Sequence, residues 1–246
     1  FGKNEILLSF IFSVVRLIGC FIFAFFIIYL LVILNFASKE KISNSYLGPI
    51  TNFLKRYGKF AFFILLLISL YRIADVVMGV MANIFYLEKG YKISEIATFS
   101  KFFGVFATIV GGFIGGYCSY KFGTMKALFF GALIAALSNL LFAWLAVSPT
   151  SINFLIAVIT ADNISSGFAG AAFVIYLSGL TSIKFTATQY ALFSSIMLFL
   201  PKLIAGYAGS WVDIMGYAYF FSFTAFLGIP VLLLIIWIGK VAPIKN

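Results

Sequence analysis

Apolar residues run along this chain in seven blocks, each close to the length of a membrane crossing, and polar residues gather in the short gaps between them. A helix needs about 20 apolar residues to traverse the hydrocarbon core of a bilayer. The pattern predicts helices over residues 6–34, 60–84, 96–118, 126–147, 153–180, 188–206 and 217–238. The chain shows no alternation of the kind a strand requires. A bilayer also favours helices, because each backbone N–H and C=O must find its partner within the segment. The expected fold class is all-α, a polytopic membrane helix bundle.

Composition supports the same solvent. Of 246 residues, 63% are hydrophobic, 20% aromatic and 10% charged, against about 25% charged in soluble domains. Mean hydropathy is +1.14, so the lipid bilayer is the first expected partner. A net charge of +10 raises nucleic acid as a second. The cations fall in short loops between apolar spans rather than on one soluble face, which argues against nucleic acid. Histidine is absent, which removes His-based metal sites, general bases and proton relays. Cys20 and Cys118 lie in apolar stretches and read as small buried side chains rather than a disulfide or metal framework. No metal site or cofactor is expected. Without an acid pair at catalytic spacing or a nucleophile motif, neither is an enzyme.

Lys and Arg set the direction of threading. Ten cations lie on one side: Lys39, Lys41, Lys55, Arg56, Lys59, Lys121, Lys126, Lys184, Lys240 and Lys245. Three lie on the other, Lys3, Lys89 and Lys92, with Lys101 a fourth if it sits at the interface. The richer side is expected to be cytoplasmic, with the C-terminus inside and the N-terminus outside. The chain opens at Phe1 without methionine, its first apolar run is too long for a signal-peptide core, and no small-residue cleavage site follows that run. The chain is therefore expected to be part of a longer polypeptide.

Ionisable groups at bilayer depth are costly, so each is a candidate site. Arg72 and Asp75 lie mid-span in LYRIADVVMG (70–79). Three residues apart on a helix, they share a face and can pair; Tyr71, four from Asp75, can join them. The pair reads either as a structural salt bridge or as a substrate or proton site. Asp162 and Asn163 open the polar run DNISSG within the fifth span. They read as a proton-coupling or substrate site, or as helix packing. Lys202 follows Pro201, which is expected to kink its helix. It either lines a cavity or reaches to the headgroups, and the same two readings apply to Arg16. Asp213 is expected on an exposed loop, and Gln189 as a hydrogen-bonding residue at a helix end. Gly111 with Gly115, Gly112 with Gly116, Gly167 with Gly170, and Gly206 with Gly209 make small-residue faces that let helices approach closely.

A tight turn joins the third and fourth spans in GGYCSYKFGTMK (115–126), with Gly116, Lys121, Gly123 and Lys126 as its marks. It resembles the turns between paired helices of major facilitator transporters, though Tyr120 stands where an acidic residue is usual. Four further segments resemble the AmpG-type muropeptide permeases of that superfamily: YRIADVVMG (71–79), ATIVGGFIGG (107–116), DNISSGFAGAAFV (162–174) and KFTATQYAL (184–192). The last is the most specific, because a generic apolar helix has no reason to spell it. Departures within the motifs are Arg72 for Lys, Asp162 for Glu and Thr186 for Ser. The likeness covers roughly residues 48–220.

The resemblance implies a major-facilitator-type C-terminal six-helix half, residues 60–246. Residues 1–34 would be the last helix of an N-terminal half, and residues 35–59 a cytoplasmic central loop. It further implies multi-pass residence in a bacterial inner membrane and import of a small glycopeptide, an anhydro-muropeptide, for peptidoglycan recycling. Coupled protons and an N-terminal transporter half would be the partners. The alternatives are a permease for another solute, or a non-transporting membrane protein such as an inactive remnant or partner subunit.

Overall fold

The computed structural model describes residues 3–34 and 47–241. The helices are α1 (Lys3–Ile33), α2 (Gly48–Tyr57), α3 (Ala61–Leu70), α4 (Ile73–Glu88), α5 (Ile93–Ile96), α6 (Gly104–Phe122), α7 (Thr124–Val147), α8 (Ile152–Leu180), α9 (Thr186–Ala205), α10 (Ala208–Phe226) and α11 (Gly228–Val241). A π-helical stretch, Ala97–Phe103, links α5 to α6. No strand occurs among the described residues. Seven helical runs are long and apolar enough to cross a membrane: Ile11–Leu31, Gly48–Glu88, Ile93–Phe122, Thr124–Val147, Ile152–Leu180, Ile183–Ala205 and Ala208–Val241. The chain is thus the polytopic all-helical bundle that the hydropathy pattern predicts.

The described residues fall into two compact units, one ending at Asn52 and one beginning at Phe53. In the first, α1 is 31 residues long, about 46 Å at 1.5 Å per residue. Its apolar side chains, Phe12, Phe23 and Tyr29 among them, are exposed, as a helix facing lipid requires. Arg16 and Cys20 are exposed as well, so Cys20 is not the buried residue that its apolar surroundings suggested. Residues 35–46, with Lys39 and Lys41, fall outside the described residues, as do Lys245 and the side chain of Lys3. The rest of the expected central loop is not all loop, because Gly48–Tyr57 is helical. Lys55 and Arg56 in its last turn favour a helix by opposing the negative end of its dipole.

In the second unit the helices run up and down, and hydrogen bonds mark the two ends. At one end Arg56 donates to the Thr181 carbonyl at 3.1 Å, Gly239 lies against Met125, and Trp237 meets Phe63 edge-on at 4.6 Å. Lys121, Lys126, Lys184 and Lys240 are close in sequence to these contacts. At the other end Lys89 donates to the Ala146 carbonyl at 2.8 Å and Tyr91 to Ser151 at 3.0 Å. Gln189, 1% exposed, accepts from the Ser182 N–H at 2.7 Å and closes the α8–α9 turn. Gly123, at φ +88°, is the only residue between α6 and α7. A side chain there would be strained, which is why this reversal takes glycine. Gly216, at φ +76°, breaks α10 near where the last span was expected to begin, and Asp213 is exposed on the helix just before that break rather than on a loop.

Lipid gives helices no hydrophobic reason to associate, so close packing and polar contacts must hold them. The tightest contact is between α6 and α8. A Cβ at Gly111 or Gly115 would strike the Ile164 or Phe168 carbonyl, and one at Gly167 would strike that of Thr108. Gly116 and Gly209 have open space instead, so only part of the glycine pattern serves as packing. Ring clusters fill the remaining interior. Tyr71 stacks on Phe173 at 4.4 Å. Towards the opposite end, Phe221 lies 5.0 Å from Phe85 and 5.2 Å from Phe142.

This seam gives a stability test. Gly111→Ala and Gly167→Ala are expected to lower stability by about 1–3 kcal/mol, the usual range for overpacking. Gly116→Ala and Gly209→Ala should stay within about 0.5 kcal/mol of the parent. Thermal unfolding in detergent, followed by helical circular dichroism, reads the contrast; equal losses at all four positions would refute the seam.

Candidate functional site

A polar layer lies midway along the helices of the second unit, between the two ring clusters. It begins where the first span of this unit is interrupted. Tyr71 and Arg72 form a turn between α3 and α4, and Arg72 departs from helical geometry at φ −97°, ψ 8°. Hydrogen bonding continues on both sides, from Tyr71 N to Leu67 O and from Val76 N to Arg72 O, each at 2.9 Å. Asp75 thereby falls in the first turn of α4, where free N–H groups and the helix dipole favour a carboxylate.

Arg72 and Asp75 form an ion pair, with Nη2 2.6 Å from Oδ2 and 22% and 10% of the side chains exposed. The same Nη2 donates to Ser166 Oγ on α8 at 3.3 Å. Gly170, one turn further along α8, lies beside the guanidinium, where a Cβ would come into ordinary van der Waals contact with Arg72 Nη1. Tyr71 turns its hydroxyl away from Asp75, towards the carbonyls of Leu128 on α7 at 3.2 Å and Ala169 on α8 at 3.4 Å. At the interrupted turn its ring lies over Phe173, and that stacking directs the hydroxyl into the α7–α8 crossing.

Asp162, on α8, lies near enough for the charges of Asp75 and Arg72 to act on it. Its Oδ1 is 3.5 Å from Ser138 Oγ on α7, and Ser165 donates to Ser138 at 3.1 Å. Asn139, beside Ser138, is fully buried. Its Nδ2 donates to the Ala74 carbonyl of α4 and to Thr224 Oγ1 of α10, both at 3.3 Å, so one amide ties three helices together next to Asp75. The space lined by Tyr71, Arg72, Asp75, Ala132 and Gly228 has room for about one water. It holds no cavity of solute size.

The structure brings Arg72, Asp75 and Asp162 into one layer, with Tyr71 bordering it. Asn163 points elsewhere: it accepts from Thr108 at 3.0 Å and donates to the Ile159 carbonyl at 2.8 Å, inside the α6–α8 seam. Lys202 is exposed, which fits both lining a cavity and reaching to the headgroups. The turn residues Gly116, Lys121, Gly123 and Lys126 lie at the end of the helices, away from the layer; Lys121 rests over the Tyr117 and Phe122 rings. Sequence reasoning missed Ser138, Asn139 and Thr224, and it marked the run DNISSG without singling out Ser165 or Ser166 within it. Asn139 carried the one available signal, an amide in the middle of an apolar span.

The fold and this layer define a polytopic membrane protein with an ion pair held among its spanning helices. The chain matches no family model. It is 37% identical over 194 residues to a Rickettsia felis protein named "Putative transporter AmpG 4", covering 79% of this chain and 46% of that protein. It is 35% identical over 206 residues to the Rickettsia conorii protein of the same name, covering 84% and 49%. With Rickettsia prowazekii "Putative transporter AmpG 1" the identity is 37% over 174 residues, covering 70% and 39%. The chain is thus a sequence relative of the AmpG-type permeases, as its motifs indicated. It spans about half the length of these curated relatives, which are named as transporters and not as enzymes.

A double-mutant cycle tests the ion pair. Arg72→Gln or Asp75→Asn alone should lower stability by about 1–3 kcal/mol, less than for a fully buried pair because Arg72 is partly exposed. The double variant should fall short of the summed losses by about 1 kcal/mol or more. Strict additivity in reversible unfolding from micelles would show that the two charges do not interact.

Proposed function

We propose that the chain forms part of a secondary active transporter that imports anhydro-muropeptides with protons for peptidoglycan recycling. In this reading residues 60–246 are the C-terminal six-helix half of a major facilitator permease of a bacterial inner membrane. Residues 1–34 correspond to the last helix of the N-terminal half and residues 35–59 to the cytoplasmic connection. The ten-cation side, with the C-terminus, faces the cytoplasm.

The observation that carries this reading is the mid-membrane layer itself. An ion pair and a second carboxylate are expensive in hydrocarbon and typically mark substrate or ion pathways. Among the described residues, Arg72 is the one cation bonded to both Asp75 and α8, and its planar fork suits the carboxylates of a glycopeptide. Asp75 and Asp162 are the groups suited to take the coupled proton. The interruption at Tyr71 and Arg72 resembles, on a small scale, the discontinuous helices that build midplane sites in transporters. The glycopeptide assignment comes from the motif resemblance and from the relatives' names.

Uptake of radiolabelled anhydro-muropeptide into cells expressing the chain, with and without an upstream transporter half, tests the whole reading. Accumulation that collapses with the proton gradient is the expected result. Asp75→Asn or Asp162→Asn should reduce gradient-driven uptake to background while leaving solute exchange measurable. Normal accumulation in both variants would remove the carboxylates from coupling. No uptake in any combination, despite correct membrane insertion, would favour a non-transporting protein. Cysteine labelling should place positions 55, 121 and 184 on the cytoplasmic side; a split among them would overturn the threading.

A further inference from the structure

The two serines beside Asp162 compete for more acceptors than they have hydrogens to fill. Ser138 Oγ lies 2.8 Å from the Ala135 carbonyl and 3.5 Å from Asp162 Oδ1. Ser165 Oγ lies 2.8 Å from the Asp162 backbone carbonyl and 3.1 Å from Ser138 Oγ. Each hydroxyl has one hydrogen to donate, and both side chains are 3% exposed, so bulk water does not relieve the competition. Ser138 is on α7, and Asp162 and Ser165 are on α8. The choice each hydrogen makes is therefore also a choice between bonding within one helix and bonding between two.

We propose that Ser138 and Ser165 are positioning residues for Asp162, a hydroxyl pair whose hydrogen bonds reverse direction with the charge on that carboxyl. The proposal rests on the reading of Asp162 as a proton-coupling group. With Asp162 ionised, Ser165 donates to Ser138 and Ser138 donates to the carboxylate. Charge-assisted bonds of this kind are roughly twice as strong as neutral ones, so the 3.5 Å contact closes and α7 is tied to α8. With Asp162 protonated, that advantage disappears. The hydrogen of Ser138 returns to the Ala135 carbonyl, that of Ser165 to the Asp162 backbone carbonyl, and the carboxyl O–H donates to the vacated oxygen of Ser138. Both carbonyls lie within helices and gain only a second, optional bond, so the two arrangements are close in energy and a single proton suffices to choose between them.

The charged and titratable groups acting on Asp162 are Asp75, Arg72 and Tyr86, on α4 or at its N-terminal cap. On α6, the Thr108 hydroxyl bonds to Asn163, the residue next to Asp162. Lys101, in the stretch before α6, is exposed and lines a separate cavity with Asn83 and Leu87. Across the α7–α8 contact the serine pair is therefore the immediate responder to a change of charge on Asp162.

Infrared difference spectroscopy on the purified full chain in lipid nanodiscs, between acid and alkaline pH, tests the pair without requiring transport. The Asp162 carboxyl band is the one lost in Asp162→Asn. Ser138→Ala should move that band to higher wavenumber, because a carboxyl relieved of a hydrogen bond has a stiffer C=O. Ser165→Ala should move it less, and Ser138→Thr, which keeps the hydroxyl, should restore the parent position. Helical circular dichroism confirms that each variant folds. An unmoved band in Ser138→Ala, or no Asp162-dependent carboxyl band at any pH, overturns the proposal. The spectral shift without any uptake would sink the transport reading and leave the pair standing. Proton-driven uptake without a spectral shift would do the reverse.

Discussion

Hydrocarbon offers no hydrogen bond to anything placed in it, and the whole architecture follows from that refusal. Backbone groups answer it by forming helices, which leave few unsatisfied groups except at their ends. Those ends are handled one at a time. Arg56 and Tyr57 bond to carbonyls at the end of α8, Lys89 reaches the last turn of α7, and Gln189 accepts a free N–H between α8 and α9. Side chains are bound by the same rule. In the central layer Arg72, Asp162 and the Asn139 amide nitrogen each reach a partner on another helix, and Asp75 is paired by Arg72 at the cap of its own helix; Asn139 Oδ1 has none among the described residues.

That rule explains why the layer sits where it does. The interruption at Tyr71 and Arg72 supplies a helix start in mid-membrane, and a helix start is where a carboxylate is least costly. Asp75 occupies it, Arg72 neutralises it, and Asn139 holds the adjacent Ala74 carbonyl. Asp162 comes in from α8 because Gly111, Gly115 and Gly167 let α6 and α8 approach to backbone contact. Rings close the layer on both sides, Tyr71 with Phe173 on one and Phe85 with Phe221 on the other. Packing and site chemistry are therefore one arrangement, and loosening the glycine seam would displace a carboxylate.

Much of this could be read from the chain before any coordinates. The seven spans were legible because each is a continuous apolar run. The Gly123 reversal was legible because only glycine suits that backbone. The Arg72–Asp75 pairing was legible because a spacing of three is local information, carried by the helix itself. What failed to show depends on which helix faces which. Ser138, Asn139 and Thr224 are ordinary polar interruptions until α4, α7, α8 and α10 converge on them. Asn163 illustrates the same limit from the other side. It is adjacent in sequence to Asp162 but one step round the helix, and that rotation sends it to Thr108 and the α6 seam. The helical Gly48–Tyr57 escaped notice because a short, basic, amphipathic segment looks like a loop when set among long apolar runs.

The seam between α6 and α8 has a mechanical consequence. Where side chains interlock, sliding one helix past another means lifting each knob out of its hole and changing its torsions. At Gly111, Gly115 and Gly167 there are no knobs, only Cα hydrogens directed at the carbonyl oxygens of the opposing strand of backbone. Contacts of that kind are individually weak and vary smoothly with displacement. Along those three glycines the helices form a bearing surface made of main chain, and the Thr108–Asn163 bond beside it is the catch that must open before they can slide.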